Sequence, residues 1–292
     1  MNIALLCHSR PREETRYLKS RIETLGHEAV VLDVLRCYMR IATHHPVVRR
    51  GGEDVSGVDL AVPLFGKGYT FYGAAVLRQF EMAGVQTVNE STALVRARDR
   101  LRSLQLLARK GVGMPATGFA HKPDDVNDLI SMVGGAPIVI KILKDGQIQS
   151  SVLAETRKAA ESVVEAFVGL DAQVLIQEYV PDTDGQVYES LVAGGRVLAT
   201  LGRPTEYSEY DVGNRQANRT GWNAVRTAKA ERELVLSAVK GLGLDFAAVS
   251  WIRAARGPLV IEVQTVPDIL RYQAMLGDEP GDRLVKAWLK TG

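Results

Sequence analysis

Apolar and polar positions follow two different periods along the first 90 residues. Short apolar runs at residues 3–7, 29–35, 58–65 and 86–89 predict four β-strands. Between the first two runs, Leu18, Ile22 and Leu25 recur at helical spacing, and residues 72–82 form a second helical pattern. Alternation of strands with helices is typical of a parallel α/β sheet. We therefore predict an N-terminal α/β domain over residues 1–90.

A long helical pattern begins at Ser91 and is predicted to continue to Lys110. Its apolar face consists of Leu94, Ala97, Leu101, Leu104 and Ala108. Its opposite face carries four arginines, Arg96, Arg98, Arg100 and Arg102. A charged face of this kind is by default solvated, and only Arg100 is retained as a candidate for ligand binding.

The pattern after this helix predicts a small α+β lobe at about residues 123–176. A helix is expected after Pro123, strands at 137–143 and 152–154, a helix at 156–168 and a further strand at 174–180. Residues 144–151 are polar and are interpreted as a mobile turn.

The last third of the chain predicts a second antiparallel region. Extended runs at 187–193 and 197–201 are joined by Gly194 and Gly195, which indicates a hairpin. Residues 204–223 are polar and aperiodic, as in functional or disordered loops. A helix at 228–242, strands at 247–253 and 258–264 and an amphipathic terminal helix follow. We assign residues 91–292 to one domain that includes the small lobe.

Composition restricts the classes of function. The 292 residues exceed the roughly 100 to 200 of one domain. The net charge of +2 gives no electrostatic basis for nucleic-acid binding. No apolar run approaches the roughly 20 residues that a membrane helix needs. Cys7 and Cys37 lie in or beside predicted buried strands, so we do not expect a disulfide framework. We therefore expect a cytoplasmic location.

Several stretches together carry a family resemblance. They are residues 71–82, 89–91, 96–109, 132–137, 153–156, 177–179 and 256–263. Over nearly the whole chain these stretches resemble the RimK family of ATP-grasp ligases. The resemblance implies an α/β ATP-grasp fold with an N-terminal parallel α/β domain, a small α+β lid lobe and a C-terminal α+β lobe. It also implies ATP- and Mg²⁺-dependent joining of a carboxylate to an amine through an acylphosphate, typically the addition of glutamate to a protein C-terminus.

The resemblance also implies a set of binding residues. The expected nucleotide-binding residues are Arg100, Lys141, Gln177, Glu178, Tyr179 and Val180. The positions that match metal ligands are Glu262 and Gln264. For Lys141 the alternative interpretation is an edge-strand lysine that reaches solvent. No catalytic residue is assigned.

Other positions depart from the family pattern. A glycine-rich lid falls on a segment with one glycine, Gly146. An Asp-x-Arg strand motif falls on Val187 and Glu189, and an aspartate ligand falls on Ser250. Magnesium requires octahedral oxygen ligands at about 2.0 to 2.1 Å, which serine and the longer glutamine side chain supply poorly.

Two hypotheses follow from these departures. In the first, ligase chemistry is lost or strongly altered, and the protein is a non-catalytic binder or a regulator of a ligase. In the alternative, it is an active carboxylate-amine ligase with an unusual substrate, and residues 204–223 replace the missing ligands. The expected partners are a nucleotide and a carboxylate or amine substrate such as a protein or peptide tail. A homo-oligomer or a partner ligase is a further expectation.

Overall fold

The structure is a computed structural model and describes residues 1–9, 11–42, 46–121, 125–144, 147–180, 184–204 and 221–291. The strands are β1 (Asn2–Cys7), β2 (Glu28–Asp33), β3 (Cys37–Arg40), β4 (Val47–Arg50), β5 (Glu53–Asp54), β6 (Leu60–Pro63), β7 (Gln86–Thr87), β8 (Thr117–Ala120), β9 (Ile138–Lys144), β10 (Gln147–Ala154), β11 (Gln173–Glu178), β12 (Gln186–Ala193), β13 (Arg196–Pro204), β14 (Asn223–Ala224), β15 (Phe246–Ala254) and β16 (Gly257–Gln264). The α-helices are α1 (Glu13–Thr24), α2 (Thr70–Met82), α3 (Ser91–Arg98), α4 (Arg100–Arg109), α5 (Val126–Met132), α6 (Arg157–Gly169), α7 (Lys229–Leu242), α8 (Ile269–Leu276) and α9 (Glu279–Thr291).

The N-terminal sheet is parallel and has the strand order β2-β1-β6-β7. Strand β1 is central and its apolar residues are buried on both faces, as the continuous run 3–7 predicts. Ile3 and Leu5 share a cluster with Ile22 of α1, whereas Ala4 and Leu6 share one with residues of α2. The predicted parallel α/β arrangement is therefore confirmed.

A second, small sheet in this region was not predicted. Strands β3, β4 and β5 pair antiparallel in that order. Their sequences are short and rich in charge, with Arg40, Arg49 and Arg50 among them, so no apolar period marks them. Strand β8 in the lid lobe was missed for a similar reason, since it has only four residues and includes a glycine.

The predicted helix from Ser91 to Lys110 is wrong, because the structure contains two helices. Asp99 has an extended backbone, and its carboxylate accepts a hydrogen bond from Arg102 N at 3.0 Å. Aspartate is a favoured N-cap because its side chain binds the free N–H groups of the first helical turn. The chain therefore stops α3 at Arg98 and starts α4 at Arg100.

The lid lobe is an antiparallel sheet of order β10-β9-β11-β8, with α5 and α6 against one face. Its other face carries Leu143 and Leu175, which pack with Leu104 of α4. The expected turn at 144–151 is too long, because β10 already begins at Gln147 and pairs with β9. Residues 145 and 146 lie outside the described part of the chain.

The C-terminal lobe is an antiparallel sheet of order β14-β13-β12-β15-β16. The predicted hairpin joins β12 to β13, where Gly194 and Gly195 both adopt positive φ. Helix α7 packs against one face of the sheet, and α8 and α9 share the cluster on the other face. The expected terminal helix, with Leu284, Val285, Trp288 and Leu289 on one face, is α9, and α8 before it was not predicted. Of the predicted loop at 204–223, residues 205–220 lie outside the described part.

Two further expectations concern cysteines and membranes. Cys7 and Cys37 are both free and buried. Among the described helices, none combines the length and the hydropathy that crossing a membrane requires.

Asn89 joins the N-terminal region to the C-terminal sheet. Its side chain is fully buried. Its Nδ2 donates to the Phe246 carbonyl at 2.9 Å, and its Oδ1 accepts from the amides of Asp245 and Phe246 at 2.6 and 3.0 Å. Each buried polar group that loses its partner costs about 1 to 3 kcal/mol.

We therefore predict that Asn89→Ala lowers the free energy of unfolding by about 3 kcal/mol, measured by urea denaturation. The control is Asn223→Ala, because Asn223 is exposed and bonds only within its own turn among the described contacts. Equal stability of the two variants would contradict the stabilising role of the Asn89 hydrogen bonds.

Candidate functional site

Lys141 lies on the face of the lid sheet that turns toward α4. It is the cross-strand neighbour of Ser151 on β10 and of Leu175 on β11. The side chain is buried, and its Nζ donates to Gln177 Oε1 at 2.7 Å. Because β9 lies between two strands, the alternative of an edge-strand lysine that reaches solvent is wrong.

The charges around Lys141 lower its pKa. Burial, and then the cation of Arg100, lower the pKa of Lys141 to about 7, while Glu262 acts in the opposite direction. Three of the residues named from the sequence therefore lie within electrostatic reach of one another. The lid lobe, α4 and β16 each contribute one of them.

Arg100 is half-buried at the start of α4, not on a solvated helix face as its sequence context suggested. Its Nη2 donates to the Ile261 carbonyl at 2.9 Å, and burial lowers its pKa. Arg100 Nε and Ser151 Oγ are buried, and neither has a hydrogen-bond partner in the described part of the chain. Unpartnered buried donors of this kind fit the oxygens of an anionic ligand, so the cleft fits a phosphate chain.

The end of β11 forms a hinge that is fixed to the C-terminal lobe. The two carboxylate oxygens of Glu178 accept from Arg256 Nη1 and Nη2 at 2.5 and 2.6 Å, and one also accepts from Ala116 N at 3.0 Å. The Arg256 guanidinium holds the pKa of Glu178 below its usual value. Tyr179 is half-buried and Val180 is buried. Of the four hinge residues 177–180, Gln177 contacts Lys141.

Glu262, the matched metal ligand, already has a cationic partner. Lys67 Nζ lies 2.7 Å from Glu262 Oε1, and Gln264 Nε2 donates to Glu262 Oε2 at 3.3 Å. Burial alone would raise the pKa of Glu262, but the cations of Lys67 and Arg100 outweigh it and lower the pKa to about 2. Lys67 comes from the loop after β6 in the N-terminal sheet.

These residues do not fit magnesium as they are arranged. One oxygen of Glu262 faces an ammonium group, and the other faces the amide nitrogen of Gln264 rather than its oxygen. Within the described ranges, no group of three or more His, Cys, Asp or Glu side chains is placed to hold a metal ion. Magnesium needs near-octahedral oxygen ligands, and this arrangement offers too few.

A row of polar positions crosses the C-terminal sheet next to this site. Strand register places Glu189 beside Ser250, and Ser250 beside Glu262. Glu189 is buried, accepts from Arg271 Nη1 at 2.8 Å and from the Tyr272 hydroxyl at 3.1 Å. Burial raises the pKa of Glu189 although Arg271 opposes this effect.

Two other features complete the row. Arg271 also contacts Asp268 Oδ2 at 3.3 Å and stacks over the Trp222 ring at 4.7 Å. Val187, the other position of the altered strand motif, is buried in an apolar cluster. The row therefore carries its own compensating cation, Arg271.

Arg98 connects these parts of the site. The sequence placed it on a solvated face, which is wrong, because the side chain is buried. Its guanidinium donates to the carbonyls of Phe65 and Gly66 and to the hydroxyls of Thr70 and Thr265. Gly66 precedes Lys67, and Thr265 follows Gln264. Arg98 thus fixes the loop that carries Lys67 to the end of β16.

Sequence reasoning did not select five of these residues, Lys67, Arg98, Arg256, Arg271 and Tyr272. For Lys67 a signal was present, since it follows the carboxyl end of a parallel strand, where ligand sites collect. For the others, the contacts join positions far apart in the sequence, and no periodic pattern marks them.

Comparisons with known proteins agree with this architecture. A RimK PreATP-grasp domain model matches residues 1–94, and a RimK-like ATP-grasp domain model matches residues 97–287. The chain is 49% identical over 293 residues to a probable alpha-L-glutamate ligase of Pseudoalteromonas translucida, covering 100% of this chain and 96% of the relative. It is 45% identical over 294 residues to another such protein, of Methanococcoides burtonii, with the same coverage.

A solved structure extends the likeness in fold. The ATP-grasp ligase PsnB, complexed with a phosphomimetic variant of its minimal precursor, Mg and ADP, superimposes with a TM-score of 0.74 at 15% identity. The match covers 98% of this chain and 97% of PsnB. At this identity the likeness concerns the fold.

The lowered pKa of Lys141 predicts a pH-dependent stability. Between pH 7 and its ordinary value of 10.5, the unfolded chain binds a proton that the folded chain does not. Lys141 therefore contributes a rise of about 1 kcal/mol per pH unit to the free energy of unfolding as pH increases through this window. We expect Lys141→Met to remove that rise, measured by urea denaturation at several pH values, and exposed Lys158→Met to retain it. Parallel profiles for wild type and Lys141→Met would refute the lowered pKa.

The buried pair of Glu189 and Arg271 predicts a strong coupling. Arg271→Met leaves Glu189 buried without its cation, which we expect to cost about 3 kcal/mol of stability. The double variant Glu189→Gln with Arg271→Met is expected to be more stable than the sum of the single changes predicts, as a double-mutant cycle measures. Lys19→Met breaks an exposed pair with Glu23 and serves as the control, with a cost below about 1 kcal/mol. Additive effects of the two buried changes would contradict the pairing.

Proposed function

Because the chain belongs to the RimK-like ATP-grasp family, we propose that it retains that family's nucleotide cleft but has lost carboxylate-amine ligation. The observation that carries this proposal is the buried carboxylate of Glu189, paired with Arg271 at 2.8 Å in the row next to Glu262. The resemblance implies an arginine at position 189, which would donate to a transferring phosphoryl group. In this chain the position holds the carboxylate of Glu189 instead.

The electrostatic argument concerns the transition state. Phosphoryl transfer from ATP to a carboxylate spreads negative charge over the transferring group, and catalysis consists largely of stabilising that charge. At an effective dielectric constant near 20, two unit charges about 4 Å apart interact by about 4 kcal/mol. Glu189 brings a negative charge to the row, which Arg271 offsets. Its partner Arg271 is already shared with Asp268, so its attraction is divided between two carboxylates.

The retained part of the cleft supports nucleotide binding. Lys141 and Gln177 are paired and buried, Arg100 has an unpartnered donor, and residues 178–180 form a fixed hinge. PsnB binds ADP and Mg in the same fold. We infer an adenine nucleotide as the ligand of this chain, with Lys141 and Arg100 at its phosphates. No step through magnesium is proposed, because Glu262 and Gln264 do not fit it.

Loss of chemistry leaves binding as the function. PsnB is complexed with a peptide precursor, and the related ligases act on glutamate by name. We propose that this chain holds a carboxylate-bearing protein or peptide tail next to its nucleotide. In this role it regulates or scaffolds a catalytic ligase instead of extending the tail itself.

One observation favours a second function, that of an active ligase. The chain is 49% identical to a probable alpha-L-glutamate ligase over its whole length. In that case residues of the loop 204–223, of which 205–220 lie outside the described part, supply ligands that Ser250 and Gln264 do not. The two proposals differ in one product, ADP.

The proposed loss of ligation predicts no specific ATP turnover. Wild type is incubated with ATP, magnesium, glutamate and a set of peptides with acidic C-termini, and released ADP is measured by a coupled assay. The expected rate equals that of Lys141→Ala, which removes the buried lysine and sets the background. ADP release that requires the peptide and disappears in Lys141→Ala would establish the active ligase instead.

A further inference from the structure

Three cations and one carboxylate surround the region expected to hold phosphates. Lys67, Arg100 and Glu262 interact directly or at close range, and both Arg100 and Glu262 act on Lys141. A cleft that depends on bound magnesium usually offers carboxylates to the metal, and the metal then bridges to phosphate. Here the carboxylate already bridges to an ammonium group of the chain itself.

Lys67 is held in place from outside its own loop. Arg98 donates to the carbonyls of Phe65 and Gly66, directly before Lys67, and to Thr265, directly after Gln264. The two segments that carry the pair are thereby tied together through one buried guanidinium. The loop that carries Lys67 and the end of β16, which carries Glu262, are consequently held close to each other.

The geometry leaves part of the Lys67 ammonium group available. An ammonium group has three donors, and Glu262 Oε1 takes one of them among the described contacts. The Lys67 side chain is 46% exposed and that of Glu262 34%, so a ligand in the cleft can reach them. A lysine bound to a carboxylate and also open to a phosphate can bridge the two, as a metal ion does.

We propose that Lys67 takes the place of magnesium, so that this cleft binds the phosphate chain of an adenine nucleotide without a metal ion. The inference rests on the nucleotide cleft of the proposed function, but not on the loss of ligation. With Lys141 protonated, the three cations and Glu262 leave an excess of positive charge. That excess suits the polyanionic phosphate chain directly.

The state of Lys141 agrees with this proposal. Burial and Arg100 lower its pKa to about 7, so the cleft without ligand avoids holding a third cation beside the single carboxylate of Glu262. An anion next to Lys141 favours its charged form. Phosphate binding would therefore be accompanied by proton uptake, which supplies the positive charge that magnesium otherwise contributes.

The test is calorimetric titration of the full chain with ADP and with AMPPNP, each in EDTA and in excess magnesium. For wild type we expect dissociation constants that agree within about threefold in the two conditions. Lys67→Met should weaken binding in EDTA by about tenfold, as expected for loss of one charge-assisted contact, and should make binding depend on magnesium. Lys67→Arg retains a cation and should bind in EDTA like wild type.

Lys240→Met, at an exposed site on α7, is the matched control and should bind as wild type does in both conditions. Three results would overturn the proposal. The first is that EDTA abolishes nucleotide binding by the wild type. The second is that a folded Lys67→Met variant binds in EDTA as the wild type does. The third is that the wild type binds no nucleotide in either condition. ADP release in the turnover assay would refute the loss of ligation while leaving this metal test to be decided on its own result.

Discussion

The buried guanidinium of Arg98 is the interaction on which the arrangement of the cleft depends. It contacts carbonyls and hydroxyls from the loop after β6, from the first residue of α2 and from the end of β16. None of its described contacts is to a carboxylate, and burial lowers its pKa to about 10, so it remains charged at neutral pH. The geometry that follows brings Lys67 of the N-terminal sheet against Glu262 of the C-terminal lobe.

Charge compensation within the chain is the second principle of this cleft. Glu178, Glu189 and Glu262 are each paired with a cation, Arg256, Arg271 and Lys67 respectively. Of the three, Glu189 is the fully buried one, and a buried carboxylate without a partner costs several kcal/mol, so Glu189 depends most on the base beside it. Each pair therefore compensates the charge of its carboxylate within the chain itself.

The sequence was sufficient to predict those elements whose structure is determined by local periodicity. It was insufficient to predict features that depend on contacts between residues far apart in the chain. The continuous apolar run of β1 and the two glycines at 194 and 195 predicted a buried parallel strand and a hairpin, which the structure contains. The resemblance named both Lys141 and Gln177 as site residues, and in the structure their side chains bond across neighbouring strands. A single helix was predicted after Ser91 because the apolar spacing continues through Asp99. In the structure the capping bond of Asp99 outweighs that spacing and divides the segment into two helices. Lys67 and Glu262 are 195 positions apart, and no local pattern links them.

In this cleft, we infer, a lysine of the chain occupies the position of the metal ion. The most direct measurement is a crystal structure of the protein grown with AMPPNP and Mn²⁺, with anomalous data collected to locate manganese. We expect the nucleotide phosphates to lie beside Lys67, Lys141 and Arg100, the contact between Lys67 and Glu262 to be intact, and the cleft to show no anomalous peak. A manganese ion bound by Glu262 and Gln264, with Lys67 displaced, would contradict this inference.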